Sequence, residues 1–273
     1  MADWPIANDA AQYERSSLAS ASDYGVTVTS NASANTKGAW AELHAALPFE
    51  VQGVYLQVTA NSTASDYAID LGIGAGGSEQ VIIANWMVSA VRRMGQSIFW
   101  PIHIAKGTRV AARMQSGATA SPTLQVNGLF MSAGWGHTPG FSFCETYNFN
   151  AANTSVTTGN YDPGGTANTK ASYITIGTTT RHIRALNMMF DPRNAAATSA
   201  IWRCDIAIGA TPDIIFPDLT LINETTMDEL GQRAFGPFPV NIPPGTAIKF
   251  RAQCTITDAT DRIMRHIHMY GMG

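Results

Sequence analysis

Apolar and polar positions alternate in short runs along most of this 273-residue chain. Val54-Tyr-Leu-Gln-Val58, Ala68 to Ile73 and Ile102 to Val110 each place every second residue on one side. That period predicts strands with one buried face. Turn formers stand between them: Asn61-Ser62, Gly74 to Gly77, Lys106-Gly107, Pro122, Asp191-Pro-Arg-Asn194 and Pro243-Pro-Gly245. Helical periodicity is confined to Asp9–Ser20, where a short helix is expected, and to Thr225–Gln232, where one turn is. Many short strands punctuated by Gly and Pro predict an all-β chain of sandwich or jelly-roll type.

The pattern also repeats. Ser33-Ala-Asn-Thr-Lys37 returns as Thr166-Ala-Asn-Thr-Lys170, 133 residues later. Ile69-Asp-Leu-Gly-Ile-Gly-Ala75 returns as Cys204-Asp-Ile-Ala-Ile-Gly-Ala210, and Val81-Ile-Ile83 as Ile214-Ile-Phe216. Trp100-Pro-Ile-His-Ile-Ala-Lys-Gly-Thr-Arg-Val110 is echoed by Phe238-Pro-Val-Asn-Ile-Pro-Pro-Gly-Thr-Ala-Ile248, after which Arg113 and Gln115 match Arg251 and Gln253. Four matches in one order, with offsets drifting only slightly, predict a duplicated domain whose loops differ in length. A period this long exceeds the ~20–50 residues of solenoid repeats. The expected organisation is therefore an N-terminal arm over 1–27, a first β-sandwich over 28–133, a linker over 134–149 and a second β-sandwich over 150–273. The arm carries Trp4-Pro5 and would either pack on a neighbouring molecule or stay unattached.

Composition narrows the function classes. Charged residues make up 14% of the chain, well below the ~25% of ordinary soluble proteins. A surface this neutral suits a subunit that buries much of its outside. The net charge of -3 excludes a strongly basic nucleic-acid binder. Charge is unevenly spread: residues 1–79 hold nine acids and two bases, whereas 80–144 hold no acid and five bases, Arg92, Arg93, Lys106, Arg109 and Arg113. Either neighbouring strands neutralise one another, or opposite faces steer copies together. On the second reading Trp4, Arg92, Arg93, Arg109 and Arg113 are interface candidates. Cys144, Cys204 and Cys254 form an odd, widely spaced set without CxxC, which predicts free thiols. No signal-peptide pattern opens the sequence and no run of about 18 apolar residues occurs, so cytoplasmic synthesis and no membrane partner are expected.

Catalytic signatures are missing. Gly72-Ile-Gly-Ala-Gly-Gly77 fits GxGxxG, but a strand pattern follows it instead of a helix, and no acid stands about 20 residues on. GxSxG, HExxH and phosphate-loop patterns are absent. No catalytic residue and no cofactor are expected. No metal is expected either: His266-Ile-His268 places two imidazoles on one strand face and would be a transition-metal pair if it is not simply a surface strand carrying two histidines, and Asp228-Glu229 and Asp258/Asp261 are turn acids that would otherwise supply calcium ligands. Trp40, Tyr55, Trp86, Trp100 and Trp135 would be either core aromatics or a sugar-binding face.

Asn35-Thr-Lys-Gly-Ala-Trp-Ala-Glu-Leu43, followed by Ile69 to Ile83, resembles segments of accessory virion proteins of tailed bacteriophages. The likeness covers about 50 residues of the first copy and, more weakly, the second, where Ala171 and Ala210 to Asp213 depart from it. It implies a virion component made in the host cytoplasm: a capsid decoration or cement protein, a head-spike base or a tail component. Its partners would be other virion proteins, and it would form a homo-oligomer without contacting nucleic acid. The alternative is a carbohydrate- or host-receptor-binding module of such a particle.

Overall fold

The computed structural model describes residues 12–17, 25–89, 96–132, 140–147, 161–194, 199–223, 233–256 and 262–273. These residues hold seventeen strands and no helix. The first group is β1 (Tyr13–Arg15), β2 (Val26–Thr29), β3 (Ala41–His44), β4 (Gly53–Asn61), β5 (Asp66–Ile73), β6 (Gln80–Ser89), β7 (Ser97–Trp100), β8 (Val110–Ser116) and β9 (Thr123–Met131). The second is β10 (Cys144–Tyr147), β11 (Ile174–Thr178), β12 (Ile183–Asn194), β13 (Ala200–Ile208), β14 (Asp213–Asn223), β15 (Arg233–Ile242), β16 (Ala247–Cys254) and β17 (Arg262–Met272).

In the first unit, β9-β4-β7 is flanked at β9 by β1 and β2, and the facing sheet runs β3-β8-β5-β6. In the second, one sheet runs β10-β17-β12-β15 and the other β11-β16-β13-β14. Counting eight strands from β2 and from β10, both units have the orders 1-8-3-6 and 2-7-4-5. Two four-stranded antiparallel sheets with these long crossovers make a jelly roll, so the chain is all-β with two β-sandwich units. Each has its own core. Val54, Leu56, Ile69, Trp86, Trp100 and Val126 centre the first; Leu186, Phe190, Trp202, Ile206 and Phe250 centre the second.

The unit edges differ from the expected boundaries. Within the expected arm, Tyr13–Arg15 pair with Leu129–Met131 as a strand, so the helix expected over 9–20 is not formed at the described positions. Val26 and Thr27 likewise pair with β9. Within the expected linker, Cys144–Tyr147 pair with Met269–Met272 and open the second unit. In all three cases a free sheet edge supplies backbone partners that a short, weakly patterned segment takes up. The turn expected over 225–232 lies outside the described residues.

Candidate functional site

The repeated sequence blocks converge in space. In the first unit the Asp70 carboxylate, on β5, accepts from Lys37 Nζ at 2.7 Å and from Arg113 Nε at 2.9 Å. It also accepts from the Asn85 backbone N–H at 2.9 Å. The Arg113 guanidinium lies over the Trp40 ring, 4.6 Å from its centroid. In the second unit Asp205, on β13, accepts from Lys170 Nζ at 2.6 Å, Arg251 Nε at 2.8 Å and the Asp218 N–H at 3.0 Å. Arg251 lies over Tyr173, at 4.4 Å.

Local backbone aims these groups. Asn35 and Asn168, in the two Ala-Asn-Thr-Lys blocks, both sit at φ 57, a left-handed region that Asn tolerates better than most residues. Their N–H groups bond to Ser116 and Cys254 carbonyls, which turns each following lysine over the sheet. Opposite each Asp the pairing slips: Ile69 faces Trp86 while Leu71 faces Ile83, and Cys204 faces Leu219 while Ile206 faces Phe216. These are β-bulges, and a bulge re-aims backbone groups. Asn85 at φ 54 and Asp218 at φ 51 occupy them and point their N–H groups at the carboxylates.

One difference matters. Asp218 also pairs its side chain with Lys170 at 2.7 Å, where the first unit has Asn85. The Lys37 and Lys170 side chains are almost equally accessible, at 20% and 19%. Desolvation lowers the Lys37 pKa from 10.5, and Asp70 offsets it only in part. The desolvation of Lys170 is outweighed by bonds to Asp205 and Asp218, so its pKa is raised. Burial likewise opposes ionisation of Asp205, but the Asp218 N–H, Lys170 and Arg251 together hold its carboxyl below the usual value.

In each cluster both oxygens of the central carboxylate accept hydrogen bonds. A buried ion pair adds little net stability, because desolvation nearly cancels attraction, yet breaking it is costly. Its use here is to lock a lysine loop and two or three strands in one register.

The remaining sequence candidates fall as follows. Arg109 bonds Glu42 at 2.6 Å and Glu79 at 2.8 Å, and Arg113 Nε is held by Asp70 as above. Trp4, Arg92, Arg93 and Trp135 lie outside the described residues, as do the side chains of His266 and His268. Among the described residues no group of three or more metal-ligating side chains forms. Gly72 and Ile73 end β5, and the β5–β6 turn follows from Gly74, with Gly74 and Gly77 at positive φ. His103, on the β7–β8 segment, pairs with Glu50 at 2.8 Å, and its counterpart Asn241 with His182 at 2.6 Å. All three cysteines are free; burial pushes the Cys144 and Cys204 thiols up, out of the reactive range. Trp86 and Trp100 are core, while Tyr55 is exposed. Trp40 borders an open pocket of about 460 Å³ lined also by Thr27, Thr29, Asn31 and Ser121, with no charged residue in the lining.

Sequence reasoning missed the junction between the units. The outer face of the β10-β17-β12-β15 sheet, carrying Ala185, Met189, Tyr270 and Met272, packs into the first unit's core. Tyr270 meets Trp100 edge to face at 4.9 Å. Its hydroxyl accepts from the Met87 N–H at 2.9 Å and donates to the Asn85 carbonyl at 3.0 Å. Thr146 donates to the Ala84 carbonyl at 2.6 Å, and Asn187 Nδ2 to the Phe99 carbonyl at 2.9 Å. Burial pushes the Tyr270 phenol far up.

The architecture so defined is a pair of β-sandwich units joined by a buried wall. No protein-family model matches the sequence, and no curated protein matches it. Among solved structures it is similar to PNGF-II, at TM-score 0.36 and 8% identity over 95% of this chain. The chain spans 65% of the PNGF-II chain. It is also similar to the N-terminal CBM22-1–CBM22-2 tandem domain of Paenibacillus barcinonensis Xyn10C, at TM-score 0.27 and 9% identity, covering 97% of this chain and 92% of that one. A third is infectious bursal disease virus, Gx strain, at TM-score 0.23 and 10% identity, covering 96% and 72%.

Proposed function

We propose that the protein is a non-enzymatic structural subunit of a bacteriophage virion, built from a duplicated jelly roll and bound to the capsid or tail surface. The observation that carries this reading is the fate of the repeated charged residues. In both units the repeated Lys, Asp and Arg are consumed in intrachain pairs that fix strand register, and the two units are then walled together through Tyr270. This is a scheme for rigidity. The resemblance of Asn35–Leu43 and Ile69–Ile83 to accessory virion segments supplies the setting. The test is composition of purified particles of the phage that encodes it, by mass spectrometry and by immunogold labelling. A fixed copy number per particle and labelling confined to head or tail are the expected result. Abundant protein in the lysate with none on washed particles would sink the reading.

A second reading, a saccharide-binding module of the particle, is favoured by the uncharged pocket beside Trp40. Neutral hydroxyl and amide groups flanking an aromatic ring suit a polyhydroxylated ligand. Saturable change in tryptophan fluorescence on titration with host-surface oligosaccharides, lost in Trp40→Ala, would support it; no change across such a panel would remove it.

A further inference from the structure

Among the described residues, the junction inside the chain has two uncovered counterparts on the outside. In the first unit, the side of the sandwich between β6 and β7 is closed by the second unit's sheet, and Ile83, Trp86 and Trp100 are fully buried there. In the second unit the same side, between β14 and β15, is lined by Phe216, Leu219 and Phe238, and these core-packing residues are only partly buried. Register makes the match: Leu71 faces Ile83 as Ile206 faces Phe216, and Ile69 faces Trp86 as Cys204 faces Leu219. Val54 faces Trp100 as Leu186 faces Phe238. Beside this side, edge strand β14 exposes Ile222 at 56%, whereas Ile214 matches Val81, which stays exposed in the closed first unit. Pro217 and the bulge at Asp218 blunt the edge of β14 against strand pairing, which leaves the apolar side between β14 and β15 as the surface to be covered.

The complementary face is equally open. Val54 faces Phe130 as Leu186 faces Gly271, so Tyr55 stands where Asn187 stands, and Leu129 and Met131 stand where Tyr270 and Met272 stand. On the first unit's outer sheet this face carries Tyr55 at 37% exposure and, across from Met131, Tyr13 at 59%. The chain thus presents at one end the kind of face, and at the other the kind of sandwich side, that it joins in its own middle, with Asp218 and Thr220 standing where Asn85 and Met87 meet Tyr270.

We propose that copies of this chain associate head to tail. The β1-β9-β4 face of one copy, with Tyr13, Tyr55 and Leu129, closes the β14-β15 side of the next. The occupant is a second copy because the same pairing of sheet face and sandwich side is already made inside the chain. The contact is heterologous, so it closes into a ring if the rotation permits and otherwise extends as a row. Leu129 lacks the Tyr270 hydroxyl, so this contact gives up the two hydrogen bonds of the internal one and is the weaker and reversible of the two. The proposal does not depend on the phage setting.

Full-length protein is followed by light scattering and sedimentation over a wide concentration range. Mass rising in steps of 29.2 kDa is expected. Two variants then block one surface each: Phe216→Lys/Phe238→Lys on the β14-β15 side, and Tyr13→Lys/Tyr55→Lys on the opposite face. Tyr13 and Tyr55 are exposed and Phe216 and Phe238 only partly buried, and an unchanged far-ultraviolet spectrum and melting transition would show that the fold is kept. Each variant alone should be monomeric. Mixed in equal amounts they should form dimers and nothing larger, because each retains the surface the other has lost. Wild-type protein monomeric up to about millimolar concentration would overturn the proposal, as would oligomers that either variant leaves intact. Variants that stay monomeric when mixed would also overturn it, since a symmetric contact behaves that way. None of these failures touches the particle-composition test of the proposed function.

Discussion

The two units share strand order and the cluster of Lys, Asp and Arg, yet they solve the electrostatics of that cluster differently. In the first, two cations face one carboxylate, and Asn85 contributes only its backbone N–H. In the second, the residue in the same bulge is Asp218, and two cations face two carboxylates. The position needs a residue that tolerates positive φ and can present an N–H, which both Asn and Asp do. The side chain is then free to set the charge. The difference teaches that the bulge is the architectural element and the second carboxylate an addition that tunes Lys170.

The largest test of that comparison removes the central carboxylate. Asp70→Ala should cost about 3–5 kcal/mol, the usual consequence of leaving a buried charge unpaired. Asp205→Ala should fall at about the lower end of that range, because Lys170 keeps Asp218. Urea denaturation of both variants measures this, and equal losses would break the asymmetry. Next in size is Tyr270→Phe. Removing the hydroxyl strands the Met87 N–H and the Asn85 carbonyl, at about 1–3 kcal/mol. A melting transition that splits in two would show the units uncoupling.

Smaller is Asp218→Asn, which gives the second unit the first unit's charge set. Asp218 is 55% exposed, so the loss should be only about 0.2–1 kcal/mol. The Lys170 pKa should nonetheless fall, as followed by NMR of the side-chain ammonium group. The smallest effect is on the pH profile, and its sign differs between units. Lys170 titrates above its unfolded value in the native state, so its contribution is full below 10.5 and is lost as pH rises through the folded pKa. Lys37 titrates below 10.5; there the folded state sheds its proton first, and stability rises with pH across that window. Asp205, held low, contributes above its unfolded value near 3.8 and loses that contribution as pH falls through the folded pKa. Denaturation midpoints from pH 9 to 12 in Lys37→Met and Lys170→Met backgrounds would separate the lysine terms; parallel profiles would contradict them.

Much of this arrangement is legible in the residues, though not its meaning. Lys37, Asp70 and Arg113 each stand in a block that recurs, which marks them as jointly required. That they meet is invisible, because their separations follow no local motif, and only the β3-β8-β5 order brings them together. Asn85 and Asp218 escape notice because the bulge asks for a backbone conformation that different side chains can meet. β1 has three residues, too few to show alternation, and the surrounding sequence reads as helix until β9 offers it an edge. Tyr270 belongs to no recurring block. Its value comes from burial against Trp100, a contact between residues far apart in the chain. The all-β class, by contrast, follows from alternation and turn residues, which act locally.

The wall made by Tyr270 also has a history in time. The first unit's own strands end at Met131, whereas the strand that closes its side begins at Arg262. At synthesis rates of about 5–20 residues per second, that side waits on the order of ten seconds for its cover. Until then Trp100 lacks the Tyr270 ring that covers it, in a unit whose sheets can already pair. A nascent chain in this state is a temporary, sticky half-product. Neighbouring chains on one messenger would be held apart from it by whatever shields the ribosome exit, or else would trade halves with it. β17, whose Tyr270 covers Trp100, is therefore the strand that commits the first unit to its own chain.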